Sequence, residues 1–253
     1  MNQERKRFSH VLITRPQEDA ERLSSRLSSM GINSIVQPAQ EFEPRQISDE
    51  ELDKLSKLGS PRLLIFTSPR SVEFGMPQLS QSICSGAQFA AIGPATAQAL
   101  KVRGRMVDIR PGNGFTSEAL LKELAARQKG EDGNALVISA PGGREILLDR
   151  LGEHGWNARP VWVYERRAAD IREEAVKAIG DADHLLTVFT SGEAMNALSQ
   201  RLPPSAWYAI CRGEWLVISE RLQRLARAFG PSGVHLASGP QNADLATAIR
   251  SII

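Results

Sequence analysis

Hydroxyl, guanidinium and phenol groups recur in this chain where apolar runs stop. Leu63-Leu64-Ile65-Phe66 ends abruptly in Thr67-Ser68, and Leu186-Thr187-Val188-Phe189 ends in Thr190-Ser191, 123 residues later. Thr14-Arg15 and Ser139 close two other apolar runs, Arg144 follows a glycine turn, and Thr96 opens a helical pattern. Hydroxyls at such junctions cap helices, and the free N–H groups of a helix start also attract anions such as carboxylates. Taken singly, each hydroxyl reads about equally well as a plain cap or as a ligand group. Arg15 and Arg144 suit bidentate pairing with carboxylates, whereas Arg70 reads as readily as a solvated surface residue. Tyr164 closes Val161-Trp162-Val163. A phenol there can protonate a leaving group, although a half-buried strand aromatic is the commoner case. The candidate site is therefore Tyr164 as proton donor, with Arg15, Thr67, Ser68, Thr96, Ser139, Arg144 and Ser191 as binding groups.

Other chemistries find little support. There is no Walker loop or dinucleotide fingerprint after the first apolar run, and no nucleophile elbow. The four histidines are scattered and Cys84 and Cys211 stand far apart, so neither metal-ligand spacing nor a disulfide framework is indicated. A formal net charge of +2 is too small to argue for nucleic acid. No stretch is long and apolar enough to span a membrane. Residues 1–9 are polar and basic with no apolar signal segment, so a cytoplasmic location is expected. An enzyme with this inventory is expected to need no cofactor and to work by positioning and acid-base help.

The elements that must position these groups alternate between strand and helix. Strands are expected at 10–14, 32–38, 63–66, 88–92, 106–109, 135–139, 161–165, 185–189, near 208–211, then a strand or turn to 218, and at 234–237. Helical spacing is read over 17–30, 49–58, from 69, over 95–103, from Thr116 or Ser117 to about 128, and over 144–154, 171–179, from Ser191 to 201, 219–229 and 242–252. Residues 39–48 read as an irregular linker and 167–170 as a polar connection. Gly31, Gly104, Gly155 and Gly230 fall where helices should stop. Most strands read as continuous apolar runs, as in parallel sheets covered on both faces. Ligands in such folds gather at the carboxyl ends of strands.

The pattern occurs twice. Val11–Thr14 parallels Leu136–Ser139, Arg26-Leu27 with Gly31 parallels Arg150-Leu151 with Gly155, and Phe66-Thr67-Ser68 parallels Phe189-Thr190-Ser191. The helix ending at Gly104 likewise parallels the one ending at Gly230. Matches in one order at nearly constant offset point to a duplicated unit.

Leu64–Glu73, Ile92-Gly93-Pro94-Ala95-Thr96-Ala97, Gly143 through Gly155 and Val161-Trp162-Val163-Tyr164 together resemble the uroporphyrinogen-III synthase family. The resemblance runs from about Val11 to Ile249. It implies an α/β fold of two parallel-sheet domains joined by a two-stranded linker, with a ligand cleft. Domain one would take residues 1–36 and 169–253, domain two 47–159, and the linkers 37–46 and 160–168. It also implies a reaction. Hydroxymethylbilane, a linear tetrapyrrole with eight carboxylates, loses its terminal hydroxyl as water and closes through a spiro intermediate with the last ring inverted. No cofactor or metal would be involved. Tyr164 matches the tyrosine assigned to loss of the hydroxyl, and Thr96, Ser68 and Ser191 match hydroxyls lining the cleft, Ser68 facing Ser191. Where some members carry a threonine, this chain has Ser219-Glu220-Arg221-Leu222, so a role for that hydroxyl does not transfer.

The expected partners are the bilane substrate and the preceding pathway enzyme in a handover, with no nucleic acid or membrane, and the chain is expected to be a monomer. The rival reading is a cytoplasmic two-domain protein that binds or senses a small anion without chemistry.

Overall fold

The computed structural model describes residues 8–57, 59, 61–127, 133–142 and 145–253. In chain order the elements are β1 (His10–Ile13), α1 (Gln17–Ser28), β2 (Ser34–Val36), β3 (Gln40–Pro44), α2 (Asp49–Lys57), β4 (Leu63–Phe66), α3 (Pro69–Gly75), α4 (Gln81–Cys84), β5 (Gln88–Ala91), α5 (Pro94–Val102) and α6 (Ser117–Arg127). They continue with β6 (Gly133–Ser139), α7 (Glu145–Glu153), β7 (Trp156–Trp162), β8 (Tyr164–Ala168), α8 (Glu173–Asp181), β9 (Leu185–Phe189), α9 (Gly192–Arg201), α10 (Pro204–Arg212), β10 (Glu214–Val217), α11 (Glu220–Ala228), β11 (Gly233–Leu236) and α12 (Asn242–Ile252).

The chain divides into two compact units, one formed by residues 1–41 with 167–253, the other by 42–166. The first unit holds a sheet of order β11-β10-β9-β1-β2, the second a sheet of order β5-β4-β6-β7. Every strand pair within these two sheets is parallel. An isolated parallel bridge, Ala90 to Ile109, adds a rudimentary strand beside β5. With it, the two sheets have one topology. β9, β10, β11, β1 and β2 of the first unit answer to β4, β5, Ile109, β6 and β7 of the second. Each unit therefore takes its two halves from different sequence repeats.

Alternation of side chains across the strands fills both faces of each sheet. In β4, Leu64 and Phe66 join the core that contains Phe89 and Tyr164, while Leu63 and Ile65 join the one that contains Ile109, Leu120 and Leu147. In the first unit Leu12 and Phe189 pack with Trp215, and Val11, Ile13, Leu186 and Val188 pack with Leu23 and Leu245. Burying such a side chain contributes about 1.5–3 kcal/mol, which explains why the strands tolerate so few polar residues. The four glycines expected to stop helices all adopt positive φ, between 71° at Gly31 and 85° at Gly155, where a Cβ would be strained.

Several local expectations change. Residues 208–211, expected as a strand, lie in α10, because Pro203-Pro204 starts a helix and Ala206 and Ile210 bury one face of it. A short apolar run does not by itself distinguish the two. Residues 106–109 make only the single bridge at Ile109. The irregular stretch 39–48 contains β3, which pairs with β8, and β8 covers the first part of the expected polar connection at 167–170. The expected strand at 161–165 breaks at Val163. Val163 donates its N–H to the Ser139 carbonyl of the sheet (3.0 Å) and accepts from the Arg45 N–H beside β3 (3.0 Å). Ala39 makes the same pair of bonds in the other unit, donating to Thr14 O (3.1 Å) and accepting from Ala169 N (3.2 Å).

At the amino edge of the first sheet, the backbone comes closest at Gly213. A Cβ there would fall on the Leu185 carbonyl oxygen, with the Leu185 carbonyl carbon only 3.1 Å away. Because backbone cannot move aside as a flexible side chain can, Gly213→Ala should lower the unfolding free energy by about 1–3 kcal/mol. Urea denaturation of the purified variant reads this as a lower midpoint with an unchanged slope.

Candidate functional site

Parallel strands deliver all their carboxyl ends to one edge of each sheet, so the chemistry-bearing residues gather there. In the second unit that edge brings together Thr67 and Ser68 after β4, Gly93 and Pro94 after β5, Ser139 at the end of β6 and Tyr164 after β7. Tyr164 Oη lies 3.2 Å from Ser68 Oγ. Ser68 is the N-cap of α3. Its Oγ accepts from Ser71 N (3.1 Å), while its own N–H donates to Ser71 Oγ (3.1 Å). Thr67 donates through both its N–H (3.3 Å) and its Oγ1 (3.2 Å) to the Ile138 carbonyl, which ties β4 to β6 just beneath Ser68. The capping reading of Ser68 is thus correct as local structure, and the tyrosine contact adds a second function to the same oxygen.

Tyr164 is only 2% exposed. Its ring is held by Phe42 edge-on at 5.7 Å and by Phe74 at 5.9 Å. The ring is therefore core, and the polar tip meets a hydroxyl, as a buried phenol requires. Arg70 lies over the Phe42 ring at 5.2 Å and pairs with Glu73 at 3.0 Å. Thr96, 3% exposed, occupies the first turn of α5, three residues after its N-cap Gly93. Ser139 is 2% exposed, and its carbonyl takes the Val163 N–H. Arg144 lies outside the described residues.

In the first unit Ser191 caps α9, accepting from Ala194 N at 3.1 Å. Ser219 caps α11 in the same way, accepting from Leu222 N at 3.3 Å. Leu222, the residue that gives that N–H, is buried in the core. Thr14 donates to the Val188 carbonyl at 2.7 Å. The Arg15 guanidinium turns to its own unit. Nη1 donates to the Pro240 carbonyl (3.0 Å) and to Asn242 Oδ1 (2.5 Å), Nη2 lies 3.5 Å from Asp19, and Nε is buried without a partner. Burial lowers its pKa, and Asp19 opposes that shift. The geometry makes Arg15 a clasp joining the starts of α1 and α12.

Sequence reasoning missed the groups that hold the edge in place. Gln37, fully buried, donates to Pro38 O (2.8 Å) and Asp170 O (3.0 Å) and accepts from Arg172 N (2.9 Å). Gln78 does comparable work in the other unit, accepting from Ile47 N (2.8 Å) and donating to Arg45 O (3.0 Å) and Phe74 O (2.8 Å). A glutamine inside an otherwise helical or strand pattern carries no periodic signal, so nothing in the sequence marks either. Both thiols are pushed up by burial, Cys84 against the opposing effect of Arg105, and neither is an activated nucleophile.

A family model described as "Uroporphyrinogen-III synthase HemD" matches residues 21–247. The chain belongs to the uroporphyrinogen-III synthase family. The uroporphyrinogen-III synthase of Escherichia coli (strain K12) is 33% identical over 248 residues, covering 95% of this chain and 99% of that protein. The one from Salmonella typhimurium is 33% identical over 249 residues with the same coverage. Crystal structures of a mutant uroporphyrinogen III synthase from Thermus thermophilus and of the uroporphyrinogen-III synthetase from Helicobacter pylori share the fold. The first has a TM-score of 0.61 at 19% identity over 96% of this chain and 98% of that one. The second has a TM-score of 0.62 at 16% identity over 95% and 99%. As in that family, this chain is an α/β protein built on parallel sheets.

Loss of the Ser68 hydroxyl removes a helix cap and also strands the phenol. Ser68→Ala should cost about 1 kcal/mol from the cap alone. Combined with Tyr164→Phe in a double-mutant cycle, the costs should fall short of additive by about 0.5–1 kcal/mol. Denaturant titration of the four proteins measures the coupling, and strict additivity would mean the Tyr164–Ser68 contact contributes nothing.

Proposed function

We propose that this chain acts as a uroporphyrinogen-III synthase, closing hydroxymethylbilane into uroporphyrinogen III with its last ring inverted and water lost. Family membership over most of the chain supports the reaction. The observation that carries the residue assignment is the 3.2 Å contact of Tyr164 with Ser68 at the carboxyl edge of the second sheet. Ser68 Oγ already accepts one N–H, so it keeps a proton to donate and a lone pair to receive the one from Tyr164. The proton route is then short. The C–O bond of the hydroxymethyl group breaks, the oxygen leaves as water with the proton passed from Ser68, and Tyr164 resupplies Ser68. The electron-poor carbon left behind is attacked by the last ring to give the spiro intermediate. The proton released when the ring closes returns to the phenolate, so the residues end as they began.

Binding falls to the carboxyl-edge groups of each unit. Thr67, Ser68, Thr96 and Ser139 in the second unit and Ser191 in the first are assigned to the substrate, along with Arg144. Arg15 supports binding by holding the loop before α12 in place. Selection of the inverted product rests on how the edge folds the bilane, since orientation alone can be worth several kcal/mol of barrier. No cofactor has a step in this scheme, and neither oligomer formation nor a handover partner is required by it.

An isomer-resolved assay on purified protein should give mainly the type III product, and Tyr164→Phe should cut the rate by about two to four orders of magnitude. Full rate and isomer ratio in Tyr164→Phe would remove the acid role. Absence of any turnover by the unaltered protein would favour the binding-protein reading instead.

A further inference from the structure

We propose that a basic groove along α5 binds carboxylate side arms of the tetrapyrrole, extending the substrate site beyond the hydroxyl-lined edge. The inference rests on the function proposed above. The groove has a volume of about 400 Å³, and a second groove of the same unit, between α2 and β7, has about 420 Å³. Both are within the usual range for small-molecule sites. The groove along α5 is lined by Pro94, Ala97, Lys101, Arg105, Val107 and Arg110, among others.

Its position follows from strand direction. The Ala90–Ile109 bridge is parallel, so the chain at Ile109 runs the same way as β5. Arg110 therefore emerges at the edge where Pro94 follows β5, and Thr96 sits one residue from Ala97 on the same first turns of α5. From that edge the groove follows α5 to Lys101, one helical turn beyond Ala97.

Charge separates this groove from the other one. Between α2 and β7, Lys54 and Lys57 are neutralised by Glu50 at 2.6 Å and Asp53 at 2.5 Å, which leaves Arg159 as the one lining cation outside an ion pair among the described residues, with Glu51 in the same wall. Along α5, no carboxylate lies within ion-pair distance of Lys101, Arg105 or Arg110 among the described residues. Asp108, the acid nearest in sequence, directs Oδ2 to the Phe89 N–H at 2.8 Å. Arg105 is half-buried and lies over the Phe89 ring at 5.4 Å, which fixes it without neutralising it. Three cations in one concave site, with no carboxylate paired to them among the described residues, concentrate anions there. Val107 and Met106, the latter 85% exposed, supply an apolar surface beside them. Carboxylates borne on flat apolar rings match that combination better than a small inorganic anion does.

Titration of uroporphyrin III, the stable octacarboxylate, into the full chain tests this directly. The triple variant Lys101→Gln/Arg105→Gln/Arg110→Gln should bind about tenfold or more weakly, while the control Lys54→Gln/Lys57→Gln binds as the unaltered protein does. In turnover, the triple variant should show a raised KM for hydroxymethylbilane with kcat within about twofold, the pattern of lost uniform binding. If the triple variant melts below the assay temperature, Arg110→Gln alone, at an exposed position, carries the test with a smaller loss. Equal affinity in variant and unaltered protein, or no uroporphyrin binding by the unaltered protein, overturns the groove. Failure of the unaltered protein to form the type III isomer overturns the proposed function, and the titration still decides the groove.

Discussion

Two residues set where the polar edge can form. Ala39 and Val163 each give an N–H to the end of a sheet strand and a carbonyl to the start of the β3–β8 pair. Each is almost wholly buried, 1% and 0% exposed. Neither backbone group can be released to solvent without leaving a buried partner unsatisfied, which costs about 1–3 kcal/mol. Val163 bears most on the proposed chemistry because Tyr164 is its neighbour. Fixing that one carbonyl against Arg45 places the phenol in its aromatic cage and carries Oη to Ser68. Arg45 secures the same junction by donating to the Trp162 carbonyl at 2.9 Å, and Gln78 holds Arg45 in turn.

The parallel sheets explain the rest of the edge. Once all strands of a sheet run one way, each helix that directly follows one of them starts on the side where the strands end, and Ser68, Ser191 and Ser219 cap three of these with the same side chain. The opposite edge is occupied differently. There Glu214 meets His235 at 2.5 Å, and Gly213 admits the Leu185 carbonyl, contacts that serve packing. Duplication supplied two such edges, and the exchange of halves between the units gave each one strands from both repeats. The same local solution, a hydroxyl at an apolar strand's end, is thereby used in both.

Much of this was legible in the sequence. Apolar runs ending in Thr-Ser marked β4 and β9 because strands buried on both faces leave no room for polar residues until they emerge. Helix-stopping glycines were readable because positive φ excludes other residues so strongly. The edge residues Thr67, Ser68 and Tyr164 were legible as types, but their meeting was not, since Ser68 and Tyr164 are 96 residues apart and only the sheet order brings β4 and β7 to one side. Residues 208–211 misled because four apolar positions fit a strand or a buried helix face equally well. Arg15 is a different case. A guanidinium after a strand suits a carboxylate ligand, yet Nη1 donates to Pro240 and Asn242, 225 and 227 residues away, a contact no local pattern announces. The glutamines that brace the structure carry no pattern at all, because one polar residue becomes structural only through the backbone groups that tertiary folding brings to it.

On the proposed function, substrate and product meet the protein at the carboxyl edges, with Ser68 and Tyr164 at the chemistry. Hydrogen–deuterium exchange with and without bound uroporphyrinogen III, kept reduced, tests it most directly. Exchange should slow in the segments that begin α3, α5 and α9, with no change around Glu214 and His235. Protection confined to the amino edge, with the segments around Ser68, Thr96 and Ser191 exchanging as in the free protein, would contradict it.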